Sequence, residues 1–233
     1  NVGGTDPTGA NVLQRVNYKY NIRGWLKEIN DVNALQQGSD PLDLFAFKIG
    51  YHEIAGPSIA GVHELYNGNI AETYWKASSD NVLRKYSYAY DDLNRLKEAV
   101  YQKPTWNNPV TNNYNESLTY DKNGNILTLQ RNGALDDPIF TTQIDDLEYT
   151  YHPQIKNQLQ RVRDNSASPE GFVDGNTQGD DYLYDANGNM IADANKGIER
   201  IWYNHMNLPV RILFYTSGNI YYRYNAKGVK VQK

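Results

Sequence analysis

The sequence predicts an all-β protein built from repeated strand–turn–strand units, and three observations support this fold class. A tyrosine-led phrase recurs, most clearly as YDKNGNI at residues 120–126 and YDANGNM at residues 184–190. Gly and Asn, which favour tight turns, separate segments of alternating apolar and polar residues. No segment has the period of an amphipathic helix longer than two turns. Because one unit cannot bury its own apolar face, we expect the units to stack.

The repeated phrase keeps a fixed internal spacing. Four residues after each leading tyrosine stands a Gly or an Asn, the residues that most readily adopt positive φ. The Asp or Asn directly after the tyrosine is expected to accept backbone N–H groups across the turn. The residues assigned to this motif are Tyr20, Gly24, Tyr90, Asn94, Tyr120, Asp121, Gly124, Tyr184, Asp185, Gly188, Tyr203, Asn207, Tyr224 and Gly228.

Composition limits the classes of protein and partner. The 233 residues are enough for one large or two modest domains, and 39% of them are hydrophobic, with 20 tyrosines. A tyrosine-rich, leucine-poor chain favours thin sheets with one wet face. A net charge of -4 and a pI near 5.6 argue against a nucleic-acid partner.

Several kinds of site are excluded by what the sequence lacks. The absence of cysteine rules out disulfides and thiolate metal sites. No apolar run approaches the roughly 18 residues that a membrane-spanning helix needs. No nucleophile elbow, phosphate-binding loop or dinucleotide-binding motif occurs, so we expect no catalysis and no cofactor.

Residues 1–15 are predicted to be a lead-in and residues 16–233 the repeat region. The first unit, at residues 18–29, alternates imperfectly, which a one-residue bulge beside Gly24 would explain. Residues 30–41 are predicted to be a polar loop. Residues 43–51 are predicted to be a strand that buries one face, formed by Phe45, Phe47, Ile49 and Tyr51.

The middle of the chain continues the pattern. Asn67-Gly68-Asn69 is typical of a hairpin turn and should lead into a strand at residues 70–75. Residues 91–100 are assigned to a strand. The segments 104–115 and 164–181 are rich in polar and turn-forming residues and are predicted to be exposed loops.

Candidate metal and ligand sites are weak. Asp121 and Asp185 each open an Asp-x-Asn-x-Asn phrase that resembles the start of a calcium loop, but hairpin-turn chemistry explains the same residues and the later Gly and Glu are missing. The polar cluster at residues 174–181 is interpreted as a solvated loop. The four histidines, His52, His63, His152 and His205, lack metal-site spacing.

The tryptophans raise the alternative of carbohydrate binding. Trp25, Trp75 and Trp202 lie within strand patterns, so packing explains them. Trp106 lies in the polar segment 104–115, and it is the tryptophan that we expect to contact a partner such as a glycan.

The phrases at residues 120–126 and 184–190 resemble YD repeats, the motif of Rhs (rearrangement hotspot) and teneurin-like proteins. Residues 18–26, 65–72 and 203–209 are also similar to the phrasing of Rhs proteins of Bacteroidetes. The resemblance covers residues 16–233. It implies a β-sheet ribbon that spirals into a hollow shell, here as a partial shell from a longer chain.

The resemblance also implies a function. In the family such a shell often encloses a C-terminal toxin, and the proteins are secreted or displayed on the cell surface. The partners implied are the remainder of the polypeptide, with its further repeats and cargo domain, and the secretion machinery. The family's Asp-Pro-x-Gly-Leu processing site is absent, and Asp6-Pro7-Thr8-Gly9 is interpreted as a turn. The alternative is a surface adhesion or carbohydrate-binding scaffold that uses loops 30–41, 104–115 and 164–181.

Overall fold

Antiparallel strands joined by tight turns form the computed structural model. The structure describes residues 14–56, 59–107, 109–133, 135–136 and 140–233. Within these ranges the regular secondary structure is entirely β-strand, with no helix, so the predicted all-β antiparallel fold class is confirmed. It follows that the described residues contain no helix suited in length and apolarity to crossing a bilayer.

Strand bounds follow the alternating segments of the sequence. The strands of the described residues are β1 (Tyr18–Tyr20), β2 (Leu26–Ile29), β3 (Phe45–Gly50), β4 (Glu72–Ala77), β5 (Arg84–Tyr90), β6 (Leu96–Gln102), β7 (Glu116–Tyr120), β8 (Ile126–Gly133), β9 (Thr142–Tyr151), β10 (Leu159–Asp164), β11 (Tyr182–Tyr184), β12 (Met190–Asp193), β13 (Ile198–Tyr203), β14 (Pro209–Phe214), β15 (Gly218–Tyr221), β16 (Arg223–Tyr224) and β17 (Lys230–Gln232).

Within each sheet, every strand pairs with its neighbours in the sequence. Strands β1–β10 lie in one sheet in chain order, β11–β15 form a second sheet in chain order, and β16 pairs with β17. Such local pairing is what a chain of repeated hairpins produces. Two compact units result, the first made of residues 1–117 and 131–142 and the second of residues 118–130 and 143–233.

The sheet of the first unit has one aromatic and one polar face. The register pairs Phe47 with Trp75, and Tyr86 with Tyr101, and directly paired residues lie on the same face. On the opposite face Glu72 pairs with Ser87, and both are fully buried. The polar face of this part of the sheet is therefore covered, whereas the aromatic face reaches solvent at Phe45, which is 44% exposed.

The cover over the polar face comes from the long connection between β3 and β4. Ala55 of this connection donates its backbone N–H to Glu72 and accepts a hydrogen bond from the Lys85 ammonium. A Cβ on Gly50 would lie 2.6 Å from the carbonyl oxygen of Glu53, so only glycine permits this sharp return of the chain. The chain thus shields its own polar face from solvent.

The same connection contains Asn67-Gly68-Asn69, and the prediction of a hairpin there is wrong. The strand that follows is β4, and it pairs with β3 from Gly50↔Glu72 to Phe45↔Ala77. The Asn67 side chain instead closes a local turn by accepting the N–H of Asn69. Asn-Gly chemistry specifies a turn, but it does not require the strands on either side to pair.

Two predicted strands differ from the observed ones. The strand predicted at 43–51 is shorter, and its most buried side chain is Ala46, whereas Phe45 is 44% exposed. Ala46 is buried because it packs with Val32, Leu35 and Tyr74. In the segment 91–100 the strand begins only at Leu96, because the preceding residues form the turn.

Two segments predicted to be exposed loops contribute buried residues. Val32 and Leu35 of loop 30–41 belong to the apolar core. In the segment 104–115, Thr111 and Asn113 are buried, and the Thr141 hydroxyl donates to the Thr111 carbonyl. These segments lack strand periodicity, yet they cover the sheet. The lead-in lies mostly outside the described residues.

The bulge predicted in the first unit is present and recurs. In β1 and β2, Lys19 pairs with Glu28 but Tyr20 pairs with Leu26, so Lys27 is the extra residue. The same shift occurs at Tyr90, Tyr184, Tyr203 and Tyr224. A bulge of this kind joins a tight turn to a twisted strand pair.

The turn residues have the left-handed backbone that their types favour. Positive φ occurs at Gly24, Asn94, Gly124, Gly188, Asn207 and Gly228. At Gly188, where φ is 83°, nothing lies within 4 Å of an added Cβ, so the backbone alone would resist a larger residue.

We predict that Gly188→Ala lowers the free energy of unfolding by about 1 kcal/mol, because alanine is strained at positive φ. Gly188→Asn is the matched control and should cost less, since Asn94 and Asn207 occupy the equivalent position with φ of 62° and 57°. Urea unfolding measures both variants. Equal stability of wild type and Gly188→Ala would show that the turn does not need a left-handed residue.

Candidate functional site

The turn at residues 185–189 shows the hydrogen bonding of the repeat. The Asp185 Oδ1 atom accepts the backbone N–H groups of Asn187 at 2.9 Å and Asn189 at 2.9 Å. The Gly188 N–H donates to the Asp185 carbonyl, and the Asp185 N–H donates to the Asn189 carbonyl. The Asn189 side chain and these backbone donors hold the pKa of Asp185 below its usual value, because they stabilise the carboxylate.

The same network forms at other turns, whether the first residue is Asp or Asn. Its side-chain Oδ1 atom accepts from the backbone N–H groups two and four residues later. The residues that play the part of Asp185 are Asn21, Asp91, Asp121, Asn204 and Asn225. Because neutral Asn serves as well as Asp, the turn depends on the acceptor oxygen and not on a charge.

Asparagine side chains also connect one turn to the next. The Asn189 amide donates to the Asn207 Oδ1 atom at 3.0 Å, and the Asn67 amide donates to the Asn94 Oδ1 atom at 2.6 Å. In each of these two cases, neighbouring turns are therefore in direct contact. These carboxamide groups hydrogen-bond to one another, which explains why the motif is rich in Asn.

A second recurring contact joins several of the tyrosines to the unit before them. The Tyr184 hydroxyl donates to the Leu159 carbonyl at 2.8 Å, and the Tyr203 hydroxyl donates to the Met190 carbonyl at 2.7 Å. We call this contact the inter-unit hydroxyl bond. At least six such bonds occur among the described residues, the others being Tyr51 to Leu26, Tyr90 to Ile70, Tyr151 to Ile126 and Tyr224 to Pro209.

The accepting carbonyl has a regular position. In five of these six bonds it belongs to the second residue after a left-handed glycine or asparagine, as Met190 follows Gly188 and Pro209 follows Asn207. The turn and the hydroxyl bond are therefore parts of one repeated structural motif. The motif residues lie at separate turns and do not converge on one pocket.

The aromatic face of the first unit is continuous. The rings of Trp75 and Tyr86 stack with centroids 5.7 Å apart, and Tyr101 meets Tyr86 edge-on at 5.6 Å. Tyr86 and Tyr88 stack within one strand, because alternate residues of a strand lie on the same face. Burial raises the pKa of Tyr101, with a further contribution from the Asp136 carboxylate. Contacts of this kind take the place of an aliphatic core.

The opposite face contains a buried ion pair that the sequence did not reveal. The Lys85 ammonium lies 2.5 Å from the Glu72 carboxylate, and the two side chains are 0% and 1% exposed. Glu72 also accepts hydrogen bonds from Tyr74, Ser87 and the Ala55 N–H. Every contact of this carboxylate is internal, so it serves the fold and presents no reactive group to a substrate.

A second charged cluster contains Trp106. Lys103 forms an ion pair with Asp136 at 2.7 Å, and its ammonium lies 3.6 Å from the centroid of the Trp106 ring. Trp106, for which a partner contact was expected from the sequence, thus contacts a nearly buried lysine of its own chain. A glycan contact by Trp106 stays a prediction.

Other candidate groups also have local contacts. His152 accepts the N–H groups of Gln154 and Ile155 through Nδ1 and so shapes a turn. Trp202 lies against the guanidinium groups of Arg200 and Arg211. In the part of the chain that the structure describes, no three His, Asp or Glu side chains are grouped as metal ligands.

Loop 164–181 is fixed by two buried carboxylates. Asp145 accepts the N–H of Phe172 at 2.6 Å, and Asp181 accepts the N–H of Val162 at 2.8 Å. A Cβ on Gly171 would lie 2.5 Å from Asp145 Oδ1, so this position requires glycine. Asp145 lies within β9, and Asp is depleted in strands, so its position there was the sequence signal for a carboxylate with a specific contact.

Sequence comparison identifies no relative. No protein-family model matches the chain, and no curated protein matches it. The similarity that exists is therefore structural.

The chain is similar in structure to chains of toxin complexes. One match is a crystal structure of TcdB2-TccC3, with 14% identity and a TM-score of 0.54 over 91% of this chain. Another is the Photorhabdus luminescens Tc holotoxin pore with a mutated TccC3, with 13% identity and a TM-score of 0.55 over 96% of this chain. This chain spans 11% of the length of each. At such identities the likeness shows the fold alone.

We predict that Tyr184→Phe lowers the free energy of unfolding by about 1 kcal/mol, because the Leu159 carbonyl loses its donor while the ring remains. Tyr18→Phe, at a ring that is 56% exposed, is the matched control and should have little effect. Denaturant unfolding gives both values. Identical losses for the two variants would mean that the hydroxyl bond contributes nothing specific.

We predict that Lys85→Met costs about 3–5 kcal/mol, because it leaves the Glu72 carboxylate buried without its cation. Lys19→Met is the control: its ion pair with Glu28 has the same 2.5 Å distance, but Lys19 is 67% exposed, so we expect a loss below about 1 kcal/mol. Adding Glu72→Gln to Lys85→Met should recover part of the stability. Strict additivity of the two changes would contradict an interaction between these groups.

Proposed function

We propose that this chain is a non-catalytic segment of an Rhs-type YD-repeat protein of the kind found in Bacteroidetes, one that builds a β-shell around a C-terminal effector. The observation that carries the proposal is the repeated unit itself: a tyrosine, an Asx-closed turn with a left-handed residue, and a hydroxyl bond to the unit before it. A repeated unit that hydrogen-bonds to the unit before it can extend a sheet without limit, as a shell wall requires.

Structural likeness supports the same role. The similar chains are those of TcdB2-TccC3 and of a Tc holotoxin pore, and the match extends over 91–97% of this chain. Those names describe toxin complexes. On this proposal the chain contributes a stretch of wall to a comparable container, and its partners are further repeats and a cargo domain of the same polypeptide.

The distribution of polar groups fits a wall better than an enzyme. Buried charges such as Glu72, Lys85 and Asp181 are bound by other groups of the chain. A catalytic carboxylate needs access to a substrate in a cleft. We therefore propose that the segment has no catalytic activity. From the resemblance to Rhs proteins we also propose that it is exported by a secretion system and acts outside the cell.

The test uses the full-length protein, including any natural sequence that follows Lys233. Intact mass and limited proteolysis should reveal a C-terminal domain that resists protease within the full protein and is digested when expressed alone. Protection should decrease in Lys85→Met, which weakens the sheet, and persist in Lys19→Met.

Two results would contradict the proposal. One is a C-terminal domain digested equally fast in both contexts. The other is a downstream sequence of further repeats that ends in a surface anchor, without a separate domain, which would favour the adhesion scaffold.

A further inference from the structure

Positive charge is concentrated in the last part of the sequence. Residues 194–233 contain seven lysines and arginines but a single carboxylate side chain, that of Glu199. The preceding residues, 1–193, contain 16 lysines and arginines and 26 carboxylate side chains. Strands β13, β14 and β15 lie within the basic stretch. Neither the turn network nor the inter-unit hydroxyl bond requires this separation of charge.

The sheet formed by β13, β14 and β15 has two different faces. On one face Ile201 pairs with Ile212, so this face is aliphatic. On the other face Trp202 pairs with Arg211, and Arg211 pairs with Tyr221. Directly paired residues and alternate residues of a strand share a face. We call this second face the arginine face, and its members are Arg200, Trp202, Arg211, Leu213, Asn219 and Tyr221.

Aromatic rings hold the two guanidinium groups of the arginine face in place. The Arg200 and Arg211 guanidinium carbons lie 5.3 Å and 4.6 Å from the centroid of the Trp202 ring, and that of Arg211 lies 5.6 Å from the Tyr221 ring. Arg211 also donates through Nε to the Asn219 Oδ1 atom at 3.0 Å. A guanidinium that is already ordered in this way loses less freedom when it binds a ligand.

The positive charge of the arginine face is not neutralised by the chain. Within the described residues, neither Arg200 nor Arg211 forms an ion pair with a carboxylate. Arg200 is exposed, and Tyr221 is 58% exposed, so a partner can reach the face from solvent. Arg, Trp and Tyr are also the residues that contribute most to protein–protein binding.

We propose that the arginine face binds a short carboxylate-rich peptide segment of a partner protein, with carboxylates of that segment at Arg200 and Arg211. The planar guanidinium fork matches a carboxylate and binds it through two parallel N–H···O bonds. Two such groups beside each other fit a segment with several Asp or Glu side chains. The proposal does not depend on the shell function proposed above.

Nucleic acid and an anionic membrane surface are the competing partners, because arginine binds phosphate as well. Bases would need open aromatic faces on which to stack, but both guanidinium groups lie over Trp202. A long nucleic acid or a membrane would also approach the acidic part of the protein, residues 1–193, and be repelled. A short peptide avoids this repulsion, since charges more than about 8 Å away are largely screened at physiological salt.

The experiment measures binding of a fluorescently labelled peptide rich in Asp and Glu to the purified 233-residue protein by fluorescence anisotropy. The comparison ligands are the same peptide with Asn and Gln in place of Asp and Glu, single-stranded DNA, and phosphatidylserine vesicles. The acidic peptide should bind saturably and more tightly than each of the other three. Added salt should weaken its binding.

Three variants locate the binding site. Arg211→Gln should weaken peptide binding about tenfold or more, because a charged hydrogen-bond pair is lost. Arg200→Gln should also weaken it, and its exposed side chain can be replaced without disturbing the fold. Arg163→Gln is the matched control: it removes the same charge from an exposed position in β10 and should change the affinity little.

Four results would overturn the proposal. The first is the absence of saturable binding of the acidic peptide, and the second is tighter binding of DNA or vesicles than of that peptide. The third is an Arg200→Gln variant that binds the peptide as well as wild type. The fourth is an equal loss of affinity in Arg163→Gln and in the two arginine-face variants, which would indicate a general charge effect.

Discussion

A hydrogen bond from a tyrosine hydroxyl to a backbone carbonyl of the preceding unit is the interaction on which the rest of the structure depends. The ring of Tyr203 is fixed at the backbone by the bulge opposite Pro209 and at its far end by the Met190 carbonyl. A slip of one residue would turn the ring to the other face and break this bond. Each hairpin therefore inherits its register from the one before it, which keeps thin sheets in order with little aliphatic core.

Two further kinds of contact take the place of a large aliphatic core. Trp75, Tyr86 and Tyr101 contact one another across three strands and form a continuous aromatic surface. The reverse face buries charges instead of excluding them, and the Glu72–Lys85 pair is enclosed by a connection that would otherwise be an exposed loop. A buried ion pair adds little net stability, but its strict geometry disfavours other arrangements of the chain. In this protein it fixes how the connection between β3 and β4 lies on the sheet.

The parts of the structure that the sequence predicted are local. Five consecutive residues determine the conformation of each turn. The left-handed positions and the bulge at Tyr20 could therefore be deduced from the sequence. The hydroxyl bonds could not be, because they join residues such as Tyr151 and Ile126, which are 25 positions apart. Polar composition also led to the prediction of an exposed loop at segment 104–115, where Asn113 is in fact fully buried.

Native-state hydrogen exchange of wild type and Tyr203→Phe, followed by mass spectrometry, tests most directly whether the hydroxyl bond couples successive units. We predict faster exchange in β13, which contains the substituted residue, in β14, which pairs with β13, and in β12, whose Met190 carbonyl loses its donor. Faster exchange limited to β13 and β14, with β12 as protected as in wild type, would contradict it.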